Sequence, residues 1–227
     1  MKNKKLGLVI VLCALLLSSC AAKKPSEQKM EASSSQTSAS TEKEAKKVLP
    51  LPATISVDNM SDCMVEVSFG AKDVSVDEAG KILIHFTVYD YELFDMVDIS
   101  TLEVGDTIVV DKKDILVKTI KNENGTFKIN GGYEDGGCYL KTDEDGVFFE
   151  VGPNESKSYY SIGEVTLPIA KTFTFSDSSS LDKPEEKLSA DGFLAKMKKS
   201  GDGFETGATT ATIAGGLITN ITKTYIP

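Results

Sequence analysis

Arginine and tryptophan do not occur in this 227-residue chain, and histidine occurs once. Each absence excludes something. All 25 basic residues are lysine, so the planar fork that grips phosphate or carboxylate with two parallel hydrogen bonds is missing. Aromatic binding surfaces have to come from tyrosine and phenylalanine. One histidine and two distant internal cysteines cannot make the usual zinc ligand sets. His85 sits between Ile84 and Phe86 in an apolar stretch. No Gly-x-Ser-x-Gly elbow and no His-Glu-x-x-His occur, so it reads as an ordinary strand residue. Acids outnumber lysines, 34 to 25. Such a surface repels phosphate backbones, which argues against nucleic acid as a partner. Nothing implies a cofactor.

What is present begins at the N-terminus. Lys2, Lys4 and Lys5 precede an apolar run from Leu6 to Leu17, followed by Ser18, Ser19 and Cys20. The run is about a dozen residues, whereas a helix needs roughly 20 to cross hydrocarbon. A basic start, a short apolar stretch and small residues before a cysteine form a secretory leader. Leu17-Ser18-Ser19-Cys20 resembles the lipobox of bacterial lipoproteins. The resemblance covers the first twenty or so residues. It implies that residues 1–19 are a signal peptide, that Cys20 carries the lipid, acyl chains such as palmitate included, and that the chain works on the extracytoplasmic face of the cell membrane. Residue 21 is alanine, so the acid that retains some lipoproteins in an inner membrane is absent. Without the three leader lysines, 22 lysines face 34 acids, a net charge of −12.

Cys13 leaves with the leader, and Cys63 and Cys138 remain. The implied compartment preserves disulfides. A bridge would close a loop of about 75 residues, worth on the order of 4 kcal/mol in the chain-entropy model. The alternative is two reduced thiols buried as small hydrophobes.

Residues 20–50 are the lipidated cysteine and a tether rich in Ser, Thr, Glu and Lys, with almost nothing to bury and an expectation of disorder. Two-residue alternation dominates from Thr54 onward, with β-branched residues throughout. Val65, Val67 and Phe69 share one strand face. Lys81 to Asp90 reads as a long strand behind the Asp77–Gly80 turn. Short turns carrying Asp, Asn or Gly link Thr107–Val110, Ile115–Ile120, Phe127–Asn130, Cys138–Leu140 and Val147–Phe149. Short links pair sequential neighbours, which predicts an antiparallel meander. Val165–Pro168 and Thr172–Phe175 read as two further strands. Ser189 or Asp191 can cap a helix carrying Phe193, Leu194 and Met197. Thr209–Ala214 and Leu217–Ile226 flank a Gly-Gly turn. The fold class is mainly β: a barrel or sandwich-like domain over 51–182, with a helix-hairpin extension over 183–227 docked on it.

Chemistry-bearing candidates are few. The acidic turns Asp111–Asp114 and Asp143–Gly146 lack the twelve-residue calcium loop, so no metal site is assigned. Asn-x-Ser/Thr tripeptides at Asn59, Asn124, Asn154 and Asn220 carry no weight beside a lipobox. The glycine-rich stretch Gly131–Gly137 leads into a strand and lacks the helix dipole of a phosphate loop. Tyr89 to Asp98 packs three aromatics and four carboxylates into ten residues where the strand pattern breaks. Tyr89, Tyr91 and Glu92, with Tyr133 on the glycine-rich loop, form the candidate ligand face for an envelope polymer or protein. The rival expectation is a glycan or peptide hydrolase using Glu92 and Asp95.

Overall fold

The computed structural model describes residues 44–143, 145–152, 155–200 and 203–225, all within one compact unit. The leader, Cys20 and nearly all of the tether lie outside the described residues. In chain order, β1 (Lys47–Val48), β2 (Asp62–Ser68), β3 (Val74–Val76), β4 (Ile82–Tyr91) and β5 (Leu93–Phe94) precede a short helix, α1 (Met96–Ser100). Short strands follow: β6 (Thr107–Val110), β7 (Lys113–Leu116), β8 (Ile120–Glu123), β9 (Thr126–Ile129), β10 (Cys138–Thr142) and β11 (Phe148–Glu150). Then come β12 (Tyr159–Ser178), β13 (Glu186–Leu188), the helix α2 (Ala190–Ser200) and the hairpin β14 (Thr209–Ala214) and β15 (Leu217–Thr224). The protein is mainly β.

Five strands close on themselves. β2 pairs with β4, β4 with β12, β12 with β15, β15 with β14, and β14 returns to β2. Every pairing in the ring is antiparallel except β12 with β15. α2 lies in the connection from the third barrel strand to the fourth. This is the Greek-key plan of an OB-fold barrel. Closure works because alternation places Val65, Val67, Ile84, Phe86, Val88, Ala211 and Ile213 inside, each almost wholly buried. α2 adds Phe193 and Met197, four residues apart on one helix face. The Phe193 ring lies 5.3 Å from Phe175, 5.4 Å from Phe173 and 6.1 Å from Phe204, centroid to centroid. The hydroxyl and carbonyl of Ser189 accept the Gly192 and Phe193 N–H groups and start the helix.

The third barrel strand differs from its sequence reading. Val165–Pro168 and Thr172–Phe175 are not separate strands but parts of β12, 20 residues long. Its first half pairs with β4 as far as Pro168, and its pairing with β15 starts at Ile169. Proline has no N–H to donate to a ladder. It stands where the strand changes partners, so its missing donor is tolerated.

Between the second and third barrel strands, residues 92–158 form an insert with its own core. Phe94, Ile99, Ile108, Ile129, Leu140 and Phe148 fill it, joined by Val48 from β1. The predicted meander is present as one antiparallel sheet, β8-β9-β10-β11, with β5 at its edge. Ile115–Ile120 does not run through as one strand. β7 stops at Leu116, and the Asn130 side-chain oxygen Oδ1 accepts the Lys118 and Thr119 N–H groups before β8 begins. β6 and β7 instead join β1 in a separate three-stranded sheet.

Residues 183–227 are not an appendage to a finished domain. Their hairpin supplies two of the five barrel strands, because β14 and β15 stand between β2 and β12. The boundary expected at 182 falls inside the barrel.

Candidate functional site

The strand pattern does not break at Tyr89; β4 continues to Tyr91. With Ile84, Phe86 and Val88 in the core, His85, Thr87, Tyr89 and Tyr91 lie on the outer face. The register extends that row sideways: Tyr89 faces Ser161 on β12 and Glu66 on β2, and Tyr91 faces Tyr159.

Around Tyr91 the surface becomes aromatic. The Tyr159 and Phe149 rings meet it edge-on, at 5.7 and 6.2 Å between centroids. Lys157 Nζ stands 3.8 Å from the Tyr91 ring centroid and 5.1 Å from that of Phe149. Phe149 belongs to β11, so this cluster is a seam between insert and barrel. Glu66 supplies its carboxylate, accepting the Gly207 N–H at 3.1 Å and the Tyr159 hydroxyl. Burial pushes the Glu66 carboxyl up, against those hydrogen bonds and the Lys157 charge. Burial also raises the Tyr159 hydroxyl, helped by Glu66. Half-buried rings, one ammonium and one carboxylate combine stacking with oriented hydrogen bonding, the composition of a recognition surface. Sequence reading missed Tyr159, Phe149, Lys157 and Glu66. The Tyr159-Tyr160 pair was the available signal, and the polar run before it hid the start of β12.

The structure does not bring the three candidate tyrosines onto one platform. Tyr89 shares a 3.0 Å hydrogen bond with Ser68. Tyr133 is no exposed apex: it starts a single 3-10 turn, and its hydroxyl donates to the Val151 carbonyl. Its ring lies 5.6 Å from Tyr139, in the insert, while Tyr91 belongs to the barrel seam. The bond to Val151 holds Tyr133 against the insert's own sheet.

The two acids of the hydrolase expectation are occupied locally. Asp95 caps α1, accepting the Val97 and Asp98 N–H groups at 2.7 and 3.3 Å. Glu92 accepts the Asp111 N–H at 2.9 Å. With Asp111 and Glu150 it lines a small cavity of about 190 Å³. Glu150 is buried, which pushes its carboxyl up against a hydrogen bond from Ser158. His85 is exposed, with Nδ1 at 3.0 Å from Thr166 Oγ1 and Nε2 at 3.4 Å from Glu164.

Cys63 and Cys138 are free thiols, so the bridge weighed from the sequence is not formed. Cys63 packs against the barrel core and Cys138 is inside the insert core. Burial, reinforced by Glu150, pushes the Cys138 thiol up to about 12. Among the described residues no group of three or more His, Cys, Asp or Glu side chains could hold a metal ion. No family model, curated protein or solved structure matches the chain.

Proposed function

We propose that this protein is a lipid-anchored binding module of the cell envelope, held to the membrane through Cys20 and recognising an envelope polymer on the outer face of its barrel. The observation that carries the reading is the seam of Tyr91, Tyr159 and Phe149 with Lys157 and Glu66. It supplies aromatic edges and a charge of each sign on one open surface. Two arguments support it. The lipobox resemblance puts the chain outside the cytoplasm and on a tether. The face made by the second and third strands is also where OB barrels take oligonucleotides and oligosaccharides, an argument from fold analogy. Charge chooses between those ligands: an acidic chain without arginine favours saccharide over nucleic acid. The hydrolase alternative has less support, because Asp95 is committed to a helix cap and Glu92 to the Asp111 amide.

The test pairs two variants. Tyr91→Ala with Tyr159→Ala should weaken retention on isolated envelope polymer about thirtyfold, at about 1 kcal/mol per ring. Cys20→Ala should move the protein from the detergent phase to the aqueous phase. Unchanged retention by a folded double variant would overturn the face, and unchanged partitioning would overturn the anchor.

A further inference from the structure

The aromatic surface does not end at the seam. Phe149, the insert's contribution to it, faces Lys141 on β10, and two residues further on Val151 donates its N–H to the Tyr139 carbonyl at 3.0 Å. Successive side chains of a strand alternate between its two faces. Leu140 and Phe148 fill the insert's core, so Phe149 and Val151 share the outer face with Tyr139 and Lys141. Phe149 and Tyr139 are then diagonal neighbours across the ladder, roughly 7–8 Å apart. Lys157 spans the same step: it pairs with Val151 and holds its ammonium over the rings of the seam.

Beyond this step the outer face opens into a groove of about 680 Å³, lined by Val151, Tyr139, Tyr133, Lys128 and Thr126 among others. Ligand-sized clefts run from roughly 300 to 1,000 Å³. The loop along its edge is cut to fit the Tyr139 ring. Gly132 has φ +88°, and a Cβ there would fall 2.3 Å from that ring. Only glycine lets the loop close against it and bring Tyr133 beside it, at 5.6 Å between centroids. Aromatic rings therefore recur along one path: Tyr159, Tyr91 and Phe149 at the seam, then Tyr139 and Tyr133 in the groove.

Fixed charges along that path are of both signs. Glu66 and Lys157 stand at the seam. Lys141 is ion-paired with Glu155 between seam and groove. Lys128, Glu123 and Glu134 line the groove itself. A ligand of either net charge meets its own sign on this path, whereas hydroxyls, which both donate and accept, find a partner in every group on it. We infer that seam and groove hold one ligand, an uncharged polysaccharide chain that crosses Phe149 from Tyr91 and Tyr159 and sets its far sugars beside Tyr139 and Tyr133. The inference rests on the reading of the seam as the envelope-binding face, and it adds the ligand's class and the direction in which the chain leaves that face.

The full chain in detergent would be titrated calorimetrically with N-acetylglucosamine oligomers, a disaccharide against a hexasaccharide, and with hexamers of galacturonate and of glucosamine. The N-acetylated hexasaccharide should bind about a hundredfold more tightly than the disaccharide, because its second contact is made within one complex. The acidic and the amine-bearing hexamers should bind more weakly than it does. Tyr139→Ala should weaken the hexasaccharide about fivefold, the worth of one ring. Lys128→Gln, a surface substitution that leaves melting unchanged, should weaken it about tenfold, as for a lost charge-assisted hydrogen bond. The inference is overturned if the hexasaccharide does not bind, if affinity does not rise with length, if either charged hexamer binds as tightly, or if both groove variants bind like the parent. Envelope retention that still depends on Tyr91 and Tyr159 would in each of those cases leave the barrel face standing. Hexasaccharide binding weakened at Tyr139 and Lys128 but unchanged in a folded variant with Tyr91→Ala and Tyr159→Ala would overturn the bridging chain and the face together.

Discussion

Asp177 shows how one carboxylate ties three elements together. On β12, it receives Lys196 of α2 at 2.8 Å and the Ser179 hydroxyl and N–H at 2.6 and 3.1 Å. Lys196 also reaches Glu186 of β13 at 2.7 Å. Burial alone would raise the Asp177 carboxyl, but the bonds from Lys196 and Ser179 bring it down to about 2. A carboxyl lowered in the folded state stabilises it above the unfolded value of 3.8 and loses that contribution as pH falls towards about 2. Glu66 and Glu150 act in the opposite direction. Raised by burial, they stabilise the protonated fold, and that contribution is lost as pH rises through their folded values. Asp177→Asn should therefore cost about 1 kcal/mol at neutral pH and flatten the loss of stability between pH 4 and 2. Thermal melts across that range check it. A variant whose melting still falls as steeply as the parent's would show that other carboxylates govern the acid limb.

At the scale of elements, α2 is a plug rather than an ornament. Its helical period was visible in the sequence, and Ser189 was one of the two caps offered there, beside Asp191. The target of Phe193 was not, because the four rings around it come from residues 69, 173, 175 and 204. Phe193→Ala should cost about 3–5 kcal/mol, since it removes a fully buried ring from the barrel. Denaturant unfolding measures the total. Hydrogen exchange tells whether the loss is shared: amides of β14 and β15 should lose protection together with β12. Loss confined to α2 would mean that the helix is packed on the barrel without supporting it.

For the whole molecule, the chain crosses between its two cores three times. β1 first joins β6 and β7 in the three-stranded sheet: Lys46 donates its N–H to Asp106 and its ammonium to the Asp98 carbonyl and Thr101. The chain then builds two barrel strands, returns for the insert, and comes back to finish the barrel. Removing residues 183–227 takes away β14 and β15, opens the ring and bares the edges of β2 and β12. The truncated chain should lose cooperative unfolding and aggregate, as followed by calorimetry and light scattering. A truncation that melts as sharply as the full chain would mean that the first three barrel strands and the insert suffice.

Local order was legible where the chain is punctuated locally. Alternation marks inside and outside along β2 and β4 without any knowledge of partners. Asn122-Glu123-Asn124-Gly125 turns β8 into β9, with Asn124 and Gly125 both at positive φ. Ser189 marks the start of α2. The candidate site was half legible: Tyr89 and Tyr91 belong to the outer face, but Tyr133 belongs to another surface. Only the tertiary structure decided the rest, because those relations join residues far apart in the chain. The parallel pairing of β12 with β15, Tyr91 meeting Phe149 across the seam, and Lys121 opposite Lys128 all depend on which strands become neighbours. Asp95 was an acid in the sequence and became a helix cap in the structure. The thiols of Cys63 and Cys138 were a possible pair until each went to a different core. Side-chain period is a property of the chain, whereas ring closure and register are properties of the packed whole, and the sites of this protein lie on the second kind.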